Sequence, residues 1–143
     1  MISPMTTRLF AMIGVCLAAA TISGFAQGQP AGKAKTPPDA AAHKAWMNEA
    51  TDAQEDVREA MAGKASAKVA AGASTLQTLM ARTEGYWTSR HADDIVTLAA
   101  EAKALAGEVA RAAKAHKLDQ ANEAFVKLST TCNTCHDLHP EKR

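Results

Sequence analysis

The sequence predicts an all-α protein, an antiparallel four-helix bundle, and three observations support this fold class. From Asp39 onward no proline occurs until Pro140, and alanine, the strongest helix former, dominates this stretch. Apolar residues within it recur every three or four positions, which is the period of one helix face. No segment shows the alternation of apolar and polar residues that is typical of a β-strand.

The first 26 residues are predicted to be a secretory signal peptide. They carry one charge, Arg8, followed by an apolar run over residues 9–20 and the small-residue sequence GFA at 24–26, where cleavage is expected. This run is shorter than the about 20 apolar residues of a membrane span. We therefore expect an exported, periplasmic protein without stable membrane insertion, which has lost Cys16 with its leader; a retained N-terminal anchor is the alternative.

Residues 27–38 are rich in Gly, Pro and Lys and predict a flexible linker, followed by one helical domain over 39–143. The whole chain has 16 Lys and Arg against 15 Asp and Glu, so removal of Arg8 leaves the charges balanced. This balance predicts neither a nucleic-acid partner nor an anionic lipid surface.

The first predicted helix begins near Asp39, a good N-cap residue, and ends near Ala62, with Gly63 closing it. Its apolar stripe consists of Trp46, Ala50, Ala53, Val57 and Met61.

The second predicted helix runs from Ser66 to Met80 or a little beyond, and Gly85 with the sequence TSRH at 88–91 marks its exit. Its apolar stripe consists of Val69, Ala73, Leu76 and Met80.

The third predicted helix has Asp93 and Asp94 in its first turn, where carboxylates complement the positive end of the helix dipole. Its apolar stripe consists of Ile95, Leu98, Ala102, Leu105 and Val109.

The fourth predicted helix begins around Asp119 and stops at Pro140, which cannot continue it. Its apolar stripe consists of Leu118, Ala121, Phe125, Leu128, Cys132 and Cys135. Both cysteines therefore lie on or beside the face that packs into the core, and His136 follows one turn after Cys132.

The sequence CNTCH at 132–136 has the C-x-x-C-H spacing that is the signature of c-type haem attachment. A thioredoxin-like dithiol would need a strand before its cysteines, and zinc would need about four ligands, whereas no second cysteine pair remains after cleavage. The motif thus predicts one covalent haem c on Cys132 and Cys135, with His136 as the ligand to its iron. A plain disulfide or an adventitious metal site is the alternative.

With this motif on its last helix, the chain resembles the class II cytochromes c, the cytochrome c′ family, from about residue 39 to 139. The sequence CNTCH is the specific part, and YW at 86–87 and the interval 119–125 also resemble the family pattern. The resemblance implies an exported four-helix bundle with its haem near the end of the last helix, redox partner proteins, and compatibility with a homodimer. The sequence departs from the family after the haem histidine, where Leu138, His139 and Pro140 replace an aromatic residue followed by a basic one.

The resemblance also indicates where the second axial ligand belongs, early in the first helix, and Met47 occupies that level. With methionine bound, a family member is a low-spin electron carrier; without it, the iron is five-coordinate and binds nitric oxide or carbon monoxide. We expect an electron carrier with Met47 as ligand, and the gas-binding protein is the alternative. Met80 is expected to fill the core.

The remaining histidines and aromatics receive structural roles. His43 is expected to be solvated, with a propionate contact or competition with Met47 for iron as alternatives, and His91 and His116 are expected at exposed helix ends. His139 is a candidate propionate partner or surface residue. The pair Tyr86 and Trp87 is expected to pack at the bundle end, with a place near the haem edge as the alternative. No nucleophile paired with a base is found in the sequence, which predicts no enzyme activity.

Overall fold

A computed structural model describes residues 38–140, which form four α-helices: α1 (Ala40–Ala62), α2 (Ser66–Thr88), α3 (Asp93–Lys114) and α4 (Leu118–Leu138). No strand occurs within this range, so the prediction of an all-α four-helix bundle is confirmed. The predicted signal peptide, and all of the predicted linker except its last residue, lie outside the described residues. None of the four helices combines the length and apolar character needed to cross a bilayer.

Helix α1 begins where the sequence predicts, because Asp39 caps it. The Asp39 carboxylate accepts a hydrogen bond from the Ala42 amide at 2.8 Å, which satisfies one of the amides that a helix start leaves unpaired. Gly63 follows the helix as predicted, yet its φ of −78° is open to any residue. The left-handed residue that ends the helix is the next one, Lys64, with a φ of 54°.

The three turns between helices share one geometry. Each contains a residue other than glycine with positive φ: Lys64 (54°), His91 (56°) and His116 (58°). The following amide donates back to a carbonyl in the last turn of the helix: Ala65 to Ala60 at 2.8 Å, Ala92 to Trp87 at 3.3 Å, and Lys117 to Ala112 at 2.9 Å. This pattern is the Schellman motif, in which glycine is usual because left-handed backbone costs other residues roughly 1–2 kcal/mol.

Helix α2 continues through Gly85 to Thr88, past the predicted end at Met80 or a little beyond, and it ends where the sequence TSRH at 88–91 marks its exit. The cause is burial, since Tyr86 and Trp87 in its final turn are only 5% and 8% exposed. Burying an aromatic side chain stabilises a fold by roughly 2–3 kcal/mol, which exceeds the about 0.5–1 kcal/mol cost of glycine inside a helix.

The predicted apolar stripes form most of the core. Their buried members are Ala50, Ala53, Val57, Val69, Ala73, Leu76, Met80, Ile95, Ala102, Val109, Ala121, Phe125 and Leu128. Trp46, Met61, Leu105, Leu118 and Cys132 are partly buried against it. Helices α1 and α2 approach closely at Gly72, where an added Cβ atom would lie 2.7 Å from Cγ2 of Val57.

The close backbone contacts between helices join helices that follow each other in the chain. Helix α2 packs against both α1 and α3, and α3 packs against α4, whereas the backbones of α1 and α4 make little or no close contact. This sparse contact leaves room for a cleft between α1 and α4, and α2 and α3 also contribute to its walls.

Candidate functional site

All four predicted site residues lie on one cleft. Met47 reaches it from α1, and Cys132, Cys135 and His136 reach it from α4. The three α4 residues share the cleft because spacings of three and four residues return to the same face of a helix. The structure thus brings the predicted residues together, and their roles as ligands stay predictions.

Every helix contributes to the cleft wall. The other lining residues are His43, Ala50, Thr51, Gln54, Met80, Thr83, Trp87, Ile95, Leu98, Ala99, Ala102, Thr131 and His139. The cavity volume is about 70 Å³, enough for a few water molecules at roughly 10–15 Å³ each. A porphyrin is far larger, so its entry requires side chains to move apart. Met47 and Met80 are suited to this, because methionine is the most adaptable apolar side chain.

The donor set has the chemistry that a haem c requires. Two thiols and an imidazole lie at the C-x-x-C-H spacing on α4, and a thioether lies on α1. Cys132 and Cys135 are both free thiols. The residues therefore fit the group in ligand type, and the cleft fits it only after rearrangement of its walls.

Both thiols are held in their protonated form. Burial, with a smaller contribution from Cys135, raises the pKa of Cys132 to about 11. Burial and then the Asp94 carboxylate raise the pKa of Cys135. Because the thiolate is the reactive form, these shifts disfavour a redox dithiol, whose attacking cysteine needs a lowered pKa.

His43 is buried, and the expectation that it is solvated is wrong. The side chain is 7% exposed and lines the cleft one turn before Met47. Its Nε2 accepts a hydrogen bond from Nε1 of Trp87 at 3.2 Å. Burial, followed by the charges of Arg90 and His136, lowers the pKa of His43 below its ordinary value.

Aromatic rings hold His43 in this position. Tyr86 stacks on it with ring centroids 4.4 Å apart and an interplanar angle of 14°, and Trp87 meets it edge-on at 5.3 Å. The guanidinium of Arg90 covers Tyr86 at 3.5 Å from the ring centroid. Trp87 is therefore not only an aromatic residue in the last turn of α2, because it also lines the cleft.

The other histidines separate into two groups. His91 and His116 are exposed at helix ends, as expected. His139 is partly buried, with its side chain 18% exposed, and it lines the cleft. Its Nε2 lies 3.0 Å from a carboxylate oxygen of Asp94, which joins the end of α4 to the first turn of α3.

The cleft also contains two buried polar residues that were not predicted as site residues, Thr83 and Thr131. Thr131 donates from its hydroxyl to Glu101 at 3.3 Å, and Thr83 donates to the Leu79 carbonyl at 3.0 Å. Helical spacing was the available signal, since Thr131 lies three residues after Leu128. Met80 is buried, as expected, and also lines the cleft. Met61 is not among the residues that line the cleft.

No family model, curated protein or solved structure matches this chain. Within residues 38–140, no group of three or more His, Cys, Asp and Glu side chains converges in a way that could hold a bare metal ion.

Proposed function

We propose that the chain is a monohaem c-type cytochrome that carries electrons. The observation that carries this proposal is the sequence CNTCH, whose two thiols and imidazole share one cleft with a methionine from another helix. The resemblance to the cytochrome c′ family supports the same function. When bound, a haem c supplies one-electron chemistry at its iron.

Four residues divide the work of binding. Cys132 and Cys135 would hold the haem through thioether bonds, which would consume both thiols. His136 and Met47 would bind its iron, Met47 through a soft thioether of the kind that raises haem potentials. The buried apolar residues around them, among them Ala102, keep water from the ligands.

We infer an antiparallel arrangement with the haem near the end of the last helix. The cleft is lined by the early parts of α1 and α3 and by the late parts of α2 and α4, which supports opposite directions for successive helices. Turns of only three or four residues, such as 63–65, favour the same arrangement. The predicted signal peptide places the mature protein in the periplasm, where its partners are other redox proteins.

A second candidate function depends on Met47 alone. Met47 is only partly buried, so its thioether is not forced into the cleft by packing. If it stays away from the iron, the remaining apolar wall from α3 suits a small uncharged gas, and the chain is a five-coordinate protein that binds nitric oxide or carbon monoxide.

The attachment is tested by acid–acetone extraction of the protein matured in a periplasm that attaches haem c. We expect the haem to stay with the polypeptide, and Cys132→Ala/Cys135→Ala to abolish this retention. His136→Ala should keep the thioether bonds and lose the normal spectrum, since a strong axial ligand is gone. Haem that leaves the unaltered protein on extraction contradicts the proposal.

A further inference from the structure

Trp87 forms a hydrogen bond to Nε2 of His43, a ring nitrogen through which histidine commonly binds metals. The indole Nε1–H can only donate, so at 3.2 Å the His43 Nε2 must be the acceptor and carry no proton. With the ring kept neutral by burial, its hydrogen lies on Nδ1. The lone pair of Nε2 is therefore committed to Trp87.

Without this hydrogen bond, His43 would compete with Met47. The two residues are one turn apart on α1 and line the same cleft as His136. Imidazole is a common ligand for haem iron, so His43 could take the place of a methionine opposite His136. Helix α1 thus offers two ligand types at the same place, and the sequence alone does not choose between them.

We propose that Trp87 is a positioning residue that keeps His43 off the iron and thereby leaves the second axial position to Met47 or to an external ligand. This inference rests on the proposed haem site. The hydrogen bond fixes the direction of the His43 ring, and the stack on Tyr86, at 4.4 Å and 14°, fixes its plane. Trp87 itself is 8% exposed, so water does not compete for the bond.

The test is the spectrum of Trp87→Phe, which keeps a ring in the wall and removes only the donor. Trp46→Phe is the matched control, because Trp46 meets the His43 ring edge-on with centroids 6.5 Å apart and makes no hydrogen bond to it. We expect ferric Trp87→Phe to lose the near-infrared band of sulfur ligation and gain that of bis-histidine ligation. If the unaltered protein is five-coordinate, the same variant should become low-spin. Trp46→Phe should keep the spectrum of the unaltered protein.

The double variant Trp87→Phe/His43→Ala should restore the original ligation, since the competing imidazole is gone. A haem-loaded Trp87→Phe with an unchanged spectrum overturns this inference and leaves the proposed function standing. A protein without covalent haem overturns both.

A second measurement does not depend on the variant folding. The ¹⁵N shifts of His43 in the unaltered protein report which ring nitrogen carries the hydrogen. We expect a protonated Nδ1 and an unprotonated Nε2 that receives the indole hydrogen. A protonated or iron-bound Nε2 overturns the inference.

Discussion

Gly72 of α2 lies against Val57 of α1 so closely that a Cβ atom on the glycine would be 2.7 Å from the valine Cγ2. Val57 is fully buried and cannot move aside without disturbing the core. We expect Gly72→Ala to lower the free energy of unfolding by about 1–3 kcal/mol, which is typical of overpacking. Gly85→Ala is the matched control, because nothing lies within 4 Å of its added Cβ atom. Removing glycine from that helix interior should raise stability by about 0.5–1 kcal/mol. Equal effects of the two substitutions in urea denaturation would contradict the close approach of α1 and α2.

The left-handed residue Lys64 predicts a stabilising substitution. Its φ of 54° is strained for lysine and ordinary for glycine, so Lys64→Gly should raise the free energy of unfolding by about 1 kcal/mol. The control is Lys127→Gly, at an exposed position inside α4, which should lower stability by a similar amount. Thermal denaturation of both variants shows whether each substitution raises or lowers the free energy of unfolding. A destabilised Lys64→Gly would rule out the left-handed turn geometry at this position.

The raised pKa of Cys132 makes the stability of the haem-free chain fall at high pH. The thiol is neutral in the folded protein up to about pH 11, whereas the ordinary value is 9.0. Stability from the neutral thiol is therefore full below pH 9.0 and is lost progressively as the pH rises through about 11. This loss amounts to roughly 3 kcal/mol across the interval, and Cys132→Ala should remove most of it. An identical pH dependence of unfolding in the variant and the parent chain would show that Cys132 is not desolvated.

The lowered pKa of His43 makes the stability of the chain fall at low pH. The folded protein disfavours the charged ring, so the unfolded chain binds the proton first as the pH falls. The stability from the neutral ring is full above the ordinary value of 6.5 and declines as the pH drops towards the lowered value. We expect His43→Gln to flatten the fall in unfolding free energy below pH 6.5. A variant with the unaltered slope would place the acid-sensitive group elsewhere.

Met47→Leu tests the second axial ligand, with Met80→Leu as its matched control from the other wall of the cleft. If Met47 binds, its loss should convert low-spin iron to five-coordinate, high-spin iron that binds carbon monoxide, and should lower the reduction potential. Met80→Leu should keep the low-spin spectrum, because a buried methionine exchanges with leucine at little cost. An unaltered protein that is already high-spin and binds carbon monoxide would favour the gas-binding function.

The sequence predicted the elements whose signals are local. Asp39 could be recognised as an N-cap from its own chemistry, and the spacing from Leu118 to Cys135 placed the cysteines on the inner side of α4. The sequence TSRH at 88–91 marked the exit of α2, whereas Met80 and Gly85 as markers of its end were wrong, because the last turn depends on the burial of Tyr86 and Trp87. Gly85 alone favours the end of a helix, and the burial of the two following aromatic residues outweighs that preference.

The position of His43 was wrong for the same kind of reason. Nothing near His43 in the chain indicates burial, since its hydrogen-bond partner is Trp87, on the next helix. Likewise, the sequence indicated a closing role for Gly63, whereas the left-handed residue is Lys64, whose identity gives no such signal. Residue types predicted which groups could form a site, and only packing decided which of them enter the cleft.

The sparse contact between α1 and α4 has a consequence for the order of folding. Most packing joins helices that follow each other in the chain, and such short-range pairings form quickly because little chain entropy is lost in closing the loops. The cleft needs Met47 and His136, which come from opposite ends of the domain, to meet. We therefore expect the hairpins of neighbouring helices to form first and the cleft last. The two thiols of α4 would then stay accessible for the proposed haem attachment until the final stage of folding.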